Sequence, residues 1–196
     1  MAEFGVYVHI PFCRSRCDYC AFATWTDRGH LVESYVDAVI EDITRAVRSG
    51  MPVADTVFFG GGTPTLIDPE HIARILASIP LTGSPEITVE CNPDDVTAAM
   101  MRTYVSAGVN RVSIGVQSMV PHVLAALGRA HDPVNVRTAV ESARAAGIER
   151  VNLDLIYGSV GESAEDWQAT LEAAIALAPS HVSAYGLTVE AGTPLA

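Results

Sequence analysis

A chain of 196 residues, 49% of them hydrophobic, is long enough for one domain with a substantial buried core. Its 23 acidic side chains outnumber 12 basic ones, and the net charge of -11 repels phosphate backbones and anionic lipid, so nucleic acid and membrane surface are not expected partners. No apolar run reaches the roughly 18 residues of a transmembrane helix, and the opening MAEFGVYVHIPF has no basic leader region, so a cytoplasmic location is expected.

Taken in chain order, runs rich in β-formers at GVYVHI (5–10), DTVFFG (55–60), EITVEC (86–91), RVSIGV (111–116), RVNLDLIYG (150–158) and HVSAYGL (181–187) predict six strands. Between them, residues 31–50, 69–79, 94–108, 135–147 and 163–179 carry helical periodicity, with Gly50, Gly108 and Gly147 where C-caps belong. Strand-then-helix repetition with nearly continuous apolar strands predicts an α/β fold whose parallel sheet is buried on both faces, either doubly wound or a barrel. Periodicity alone does not choose between these. The polar and glycine residues gather at the strands' C-terminal ends, where ligand sites of both architectures lie.

The loop after the first predicted strand reads His9-Ile10-Pro11-Phe12-Cys13-Arg14-Ser15-Arg16-Cys17-Asp18-Tyr19-Cys20. Three thiolates at C-x3-C-x2-C can fold around one cubane cluster, each on a different iron, leaving the fourth iron without a protein ligand. Arg14 and Arg16 favour the thiolate forms. Two other readings compete: a structural zinc with His9 or His30 as fourth ligand, and a redox CxxC at Cys17–Cys20. Zinc ligands usually come as separated pairs, and a redox pair does not need Cys13. Cys91 lies in a strand pattern and reads as a buried apolar residue.

The glycine run Gly60-Gly61-Gly62 before Thr63-Pro64 suits close backbone approach to a ligand, with N–H groups offered at a following helix start. Glu90 is a carboxylate at a strand's C-terminal end. Asp154 sits among Val151, Leu153, Leu155 and Ile156 and needs a partner, either a ligand hydroxyl or Arg129.

YVHIPFCRSRCDYCAF resembles the cluster loop of the radical S-adenosylmethionine (SAM) family, in the branch of oxygen-independent coproporphyrinogen III oxidase and the HemW-type haem chaperones. The similarity continues through FFGGGTPTLI, VECNPDDV, RVSIGVQSM, LGRAHDP, VNLDLIYG and SAYGLTVEAGTPL, covering practically the whole chain. The resemblance implies a partial (β/α)6 barrel with a [4Fe-4S] cluster on Cys13, Cys17 and Cys20. It also implies SAM chelated to the open iron and cleaved by one electron to methionine and a 5′-deoxyadenosyl radical. By the same resemblance Tyr7, Tyr19, Gly61, Gly62, Thr63, Glu90, Gln117, Arg129, Asp154 and Thr188 surround SAM. Gly61, Gly62 and Thr63 take its amino end, and Arg129 pairs with its carboxylate.

Oxidases of this branch carry a further cysteine two residues after the third, where this chain has Phe22, which favours the chaperone type. The expectation is therefore a HemW-like protein delivering haem to an apo-haemoprotein. The alternatives are a coproporphyrinogen oxidase, which would decarboxylate propionates and take porphyrinogen as substrate, and a zinc-stabilised interaction module. A reducing electron donor is an expected partner for either radical chemistry. Residues 1–196 are read as one radical SAM core domain with the family's C-terminal domain absent.

Overall fold

A computed structural model describes residues 4–196. Residues 1–3, part of the amino-terminal stretch assessed above for a leader, lie outside the described residues. The elements alternate as expected: β1 (Gly5–Ile10), α1 (Val32–Arg48), β2 (Ala54–Gly61), α2 (Pro69–Ala77), β3 (Leu81–Cys91), α3 (Ala98–Ala107), β4 (Arg111–Gln117), α4 (Pro121–Ala126), α5 (Pro133–Ala145), β5 (Arg150–Tyr157), α6 (Ala164–Ala176) and β6 (His181–Gly186). The strands form one parallel sheet in the order β1-β2-β3-β4-β5-β6, so each strand pairs with its neighbours in sequence and β1 and β6 are the two edges. This singly wound, unclosed sheet is the partial (β/α)6 barrel that the family resemblance implies.

Helix starts follow local chemistry. Asp68 and Asp132 accept from the N–H of Glu70 and Val134, each followed by proline at the first helical position. Ser163 and Asp166 form a reciprocal capping box on α6. The helix expected over 94–108 divides: Pro93–Asp95 is a 3₁₀ turn, and α3 starts only after Thr97, whose hydroxyl accepts from Met100 N. The short α4 has too few residues for a periodic signal and went unpredicted.

Both faces of the sheet are covered in its middle, where inner-face Thr88, Ser113 and Asn152 are buried, but the two differ in polarity. Val8, Ile10, Val57, Phe59, Ile87, Val89, Val112, Ile114, Val151, Leu153 and Leu155 face a layer of helices and make up the core. In that layer α1 packs on α2, α2 on α3 and α3 on α5. The alternate positions Thr88, Glu90, Ser113, Asn152, Asp154 and Ser183 are polar and line the inner, concave face. Successive strand side chains point to opposite faces, so one strand serves both.

Candidate functional site

The loop after β1 is tied down at both ends. Phe12 bridges to Trp25, Cys13 N donates to Trp25 O at 3.1 Å, and Trp25 N returns to Pro11 O at 2.8 Å. Between those anchors Cys20 N donates to Cys17 O at 3.1 Å, a turn that brings two thiols together, and Asp18 N donates to Leu127 O at 3.3 Å. The three cysteines, all unpaired, open into one cleft of about 450 Å³ at the C-terminal ends of the strands. That size suits a nucleotide-sized ligand. Among the described residues no three His, Cys, Asp or Glu side chains converge on a single ion. A cubane makes no such demand, because its cysteines bind different irons.

Two of the sulfurs already receive donors: Thr63 Oγ1 to Cys13 Sγ at 3.6 Å, and Arg129 Nη1 to Cys17 Sγ at 3.5 Å. Burial raises the Cys13 thiol, opposed by the Thr63 hydrogen bond. Tyr19, packed against Cys17 and Arg129, is raised far above the ordinary phenol, mainly by burial.

The glycine run has a different basis from the one expected. Gly61 N donates to Glu90 Oε2 at 3.1 Å, Gly62 N to Ile10 O at 2.8 Å and Thr63 N to Phe12 O at 2.8 Å, so these N–H groups are occupied and not offered to a ligand. A side chain on Gly62 would press on the carbonyls of Ile10 and Phe12 at 2.7 Å, and one on Gly61, at φ 107°, would strike the His9 ring. The glycines let β2 close on β1. What they leave for a ligand is carbonyl oxygen.

Glu90 and Asp154 bring two carboxylates into the cleft from β3 and β5. Burial, with Asp154 adding to it and the Gly61 N–H opposing, pushes Glu90 up to about 7. Asp154 has its partners, but they are not Arg129: Ser113 Oγ donates at 2.6 Å and Asn152 Nδ2 at 2.8 Å. Its apolar sequence neighbours Val151, Leu153 and Leu155 point to the other face. Arg129 instead donates through Nη2 to Gly115 O at 2.9 Å and through Nε to His131 Nδ1 at 3.3 Å.

Gln117 ends β4 in the left-handed region at φ 61°, and the register against β5 slips by one residue there. Thr188 lines the cleft just past β6. Of the three cysteines and the ten residues that the resemblance places around SAM, all but Tyr7 line the cleft, while His9, His30 and Gly60 do not. Tyr7 lies lower on the inner face, 57% exposed, between His9 and Phe58, with its hydroxyl 3.1 Å from His9 Nδ1. Cys91 is in the core, as read. Sequence reasoning passed over Ser113 and Asn152, for which a polar residue every second position in β4 and β5 is the signal that could have found them; His131 was one of six histidines (His9, His30, His71, His122, His131 and His181) considered as haem ligands, with nothing to isolate it.

This arrangement, a parallel partial barrel with a three-cysteine loop over the strand ends, is matched by the Radical SAM superfamily over residues 7–174, and the chain belongs to that family. Membership implies a [4Fe-4S] cluster and SAM as cofactors. Among curated relatives, the heme chaperone HemW of Mycobacterium tuberculosis is 41% identical over 201 residues, covering 98% of this chain and 52% of that protein. The HemW of Escherichia coli is 39% identical, covering 96% of this chain and 52% of its own length. The chain thus spans about half the length of these relatives. Among solved structures, coproporphyrinogen III oxidase (HemN) from Escherichia coli, a radical SAM enzyme, superposes with a TM-score of 0.87 at 28% identity, covering 95% of this chain and 44% of that one. The radical SAM methyltransferase TsrM from Kitasatospora setae shares the fold, with a TM-score of 0.72 at 17% identity, covering 98% of this chain and 38% of that one. No helix among the described residues is long and apolar enough to cross a membrane.

Proposed function

We propose that the chain is the cluster- and SAM-binding core of a HemW-like protein that binds haem and delivers it to apo-haemoproteins in the cytoplasm. The observation that carries the reading is the sharing of one cleft by Cys13, Cys17 and Cys20 with Thr63, Glu90, Arg129 and Asp154. The residues fit the cofactors. Three unpaired thiols lie on one short anchored loop, and two of them already accept hydrogen bonds from Thr63 and Arg129, as thiolates of a buried anionic cluster require. Cluster and SAM, when bound, would supply one-electron radical chemistry at the cleft.

The chain's own residues would bind and orient the ligand. Arg129 spends three of its five N–H groups on His131, Gly115 and Cys17, which leaves two for a carboxylate. The Thr63 hydroxyl and the carbonyls of Gly61 and Gly62 suit an ammonium group. Glu90 and Asp154 suit ribose hydroxyls, with Asp154 aimed by Ser113 and Asn152. A cation beside Glu90 would return it to the carboxylate form. Tyr19, Gln117 and Thr188 complete the lining, and Tyr7, on the inner face below it and beside His9, stays in the proposed contact set.

Phe22, 63% exposed on the cleft rim, stands where the oxidases of this branch have a cysteine, which favours haem transfer over porphyrinogen oxidation. The reading is tested by anaerobic reconstitution with iron and sulfide, reduction, and EPR with and without SAM. A four-iron signal that SAM perturbs is expected, with stoichiometric haem binding and no consumption of coproporphyrinogen. Cys13→Ala, Cys17→Ala and Cys20→Ala should each abolish the four-iron cluster, while Cys91→Ala keeps it. Wild-type iron content in any of the first three would refute the ligand set. Turnover of coproporphyrinogen with a reducing donor would instead assign the oxidase activity.

A further inference from the structure

His131 is a buried histidine that the cofactor site does not yet use. It is 6% exposed, lines the cleft and follows Arg129 by two residues in the loop between α4 and α5. The loop is fixed: Arg129 N closes α4 on Leu124 O at 2.9 Å, and Gly128, at φ 66°, lies so close to Asp18 that a Cβ there would sit 2.6 Å from its carboxyl carbon. Directly after His131, Asp132 caps α5.

We propose that His131 is a positioning residue: its Nδ1 accepts from Arg129 Nε and sets the plane of the guanidinium, so that the free N–H groups of Arg129 meet the carboxylate of the bound ligand. The inference rests on the cleft being the SAM site. Arg129 cannot accept a hydrogen bond and keeps its proton at any ordinary pH. The 3.3 Å contact therefore requires a lone pair on His131 Nδ1. The ring proton is then on Nε2, which is buried with no close partner and only the Val116 backbone near the ring.

That tautomer has two consequences. Binding a haem iron through Nε2 would require moving the proton to Nδ1, directly against the guanidinium N–H, so His131 is unsuited as a haem ligand. A buried N–H without a full hydrogen bond is unfavourable, and the bond that Arg129 Nε donates to the opposite nitrogen offsets part of that cost. Burial, reinforced by the Arg129 charge, holds the imidazole pKa down at about 4, so the acceptor stays available across the neutral range.

Of the three bonds from Arg129, the one to Gly115 O anchors Nη2 and the one to Cys17 Sγ anchors Nη1. Only the His131 bond holds Nε, next to the last rotatable stem bond, and without it the guanidinium can swing about its other anchors.

The test uses the reconstituted chain and two ligands, SAM and methylthioadenosine, which keeps the nucleoside but lacks the amino acid carboxylate. His131→Phe fills the ring volume without an acceptor. It should weaken SAM binding by about tenfold or more, the range for loss of a charge-assisted hydrogen bond, and leave methylthioadenosine binding and four-iron content unchanged. His131→Asn, whose Oδ1 can replace Nδ1, should restore most of the SAM affinity. Equal losses for both ligands would show a structural role and overturn the inference, as would SAM affinity unchanged in His131→Phe. If that variant does not fold, His131→Asn decides alone: selective retention of SAM affinity supports the inference, and parallel loss of both ligands refutes it. A wild-type chain that takes up no cluster or binds no SAM would instead sink the cofactor reading, and this inference with it.

Discussion

The outer and inner faces of the sheet are built from the same six strands and obey opposite rules. Leu153 and Asp154 are adjacent in β5, yet Leu153 is enclosed by helix side chains while Asp154 accepts from Ser113 and Asn152 beside an open cleft. On the outer face stability comes from apolar area removed from water. On the inner face it depends on each polar group finding a partner, because a buried unpaired one is costly. The difference shows how one strand can hold a fold and a ligand site together. The alternation separates the two tasks by a single residue.

The widest separation of the two faces comes from paired substitutions in β5. Leu153→Asp places a charge against the helix layer with no partner, and a loss above about 4 kcal/mol is expected, seen as an absent cooperative transition in urea. Asp154→Leu should leave the fold intact. It strands the donors of Ser113 and Asn152, costing about 1–3 kcal/mol, and should remove SAM binding. Similar losses for the two variants would mean that the faces are not energetically distinct.

This contrast also explains what the sequence disclosed. Among the described residues, all six strands and five of the six α-helices were legible, because hydrophobic periodicity and turn residues are local. The three cysteines could be named from their spacing, and the residues placed around SAM could be named because contiguous motifs carry the family resemblance. Three things stayed hidden, each for a physical reason. Asp154 was assigned Arg129 as a possible partner because linear neighbours mislead in a strand, where the relevant contacts come from Ser113 on the next strand and Asn152 two positions away. The N–H groups of Gly61 and Gly62 looked available until Glu90 and Ile10 were seen to occupy them. Sequence also gave no sign that His131 faces Arg129, since side-chain direction in a loop follows no period.

Two buried titratable groups of the cleft, Glu90 and His131, carry a smaller effect that pH reads out. Glu90 rises from 4.5 to about 7 in the fold, chiefly by burial, so the folded chain holds this proton more tightly than the unfolded chain does. Its contribution is full below about 4.5 and is lost as pH rises through 7, a change on the order of 3 kcal/mol. His131 carries the opposite slope. Its fall from 6.5 to about 4 gives stability present above 6.5 and lost as pH drops toward 4. In the ligand-free chain the two partly cancel. Glu90→Gln should therefore unmask a stability that increases with pH between about 4 and 6.5, followed by urea unfolding at several pH values. A profile parallel to wild type would show that Glu90 does not retain its proton in the fold.

The least effect is expected where the inner face is re-aimed, at Gln117. Its φ of 61° and the 2.7 Å bond from Ser118 N to Val116 O define a tight three-residue turn that ends β4 and shifts the register against β5. A non-glycine residue in that region stores on the order of 1 kcal/mol, whereas glycine adopts it without a side-chain clash. Gln117→Ala keeps the strain and loses the side chain; Gln117→Gly loses the side chain and relieves the strain. The glycine variant should therefore be the more stable of the two by roughly 0.5–1 kcal/mol, the reverse of the usual order in a strand, while both lose the proposed SAM contact. Alanine the more stable of the pair would mean that the turn relaxes once the side chain is gone. The left-handed backbone would then be imposed by the amide's place in the cleft and not by the bulge.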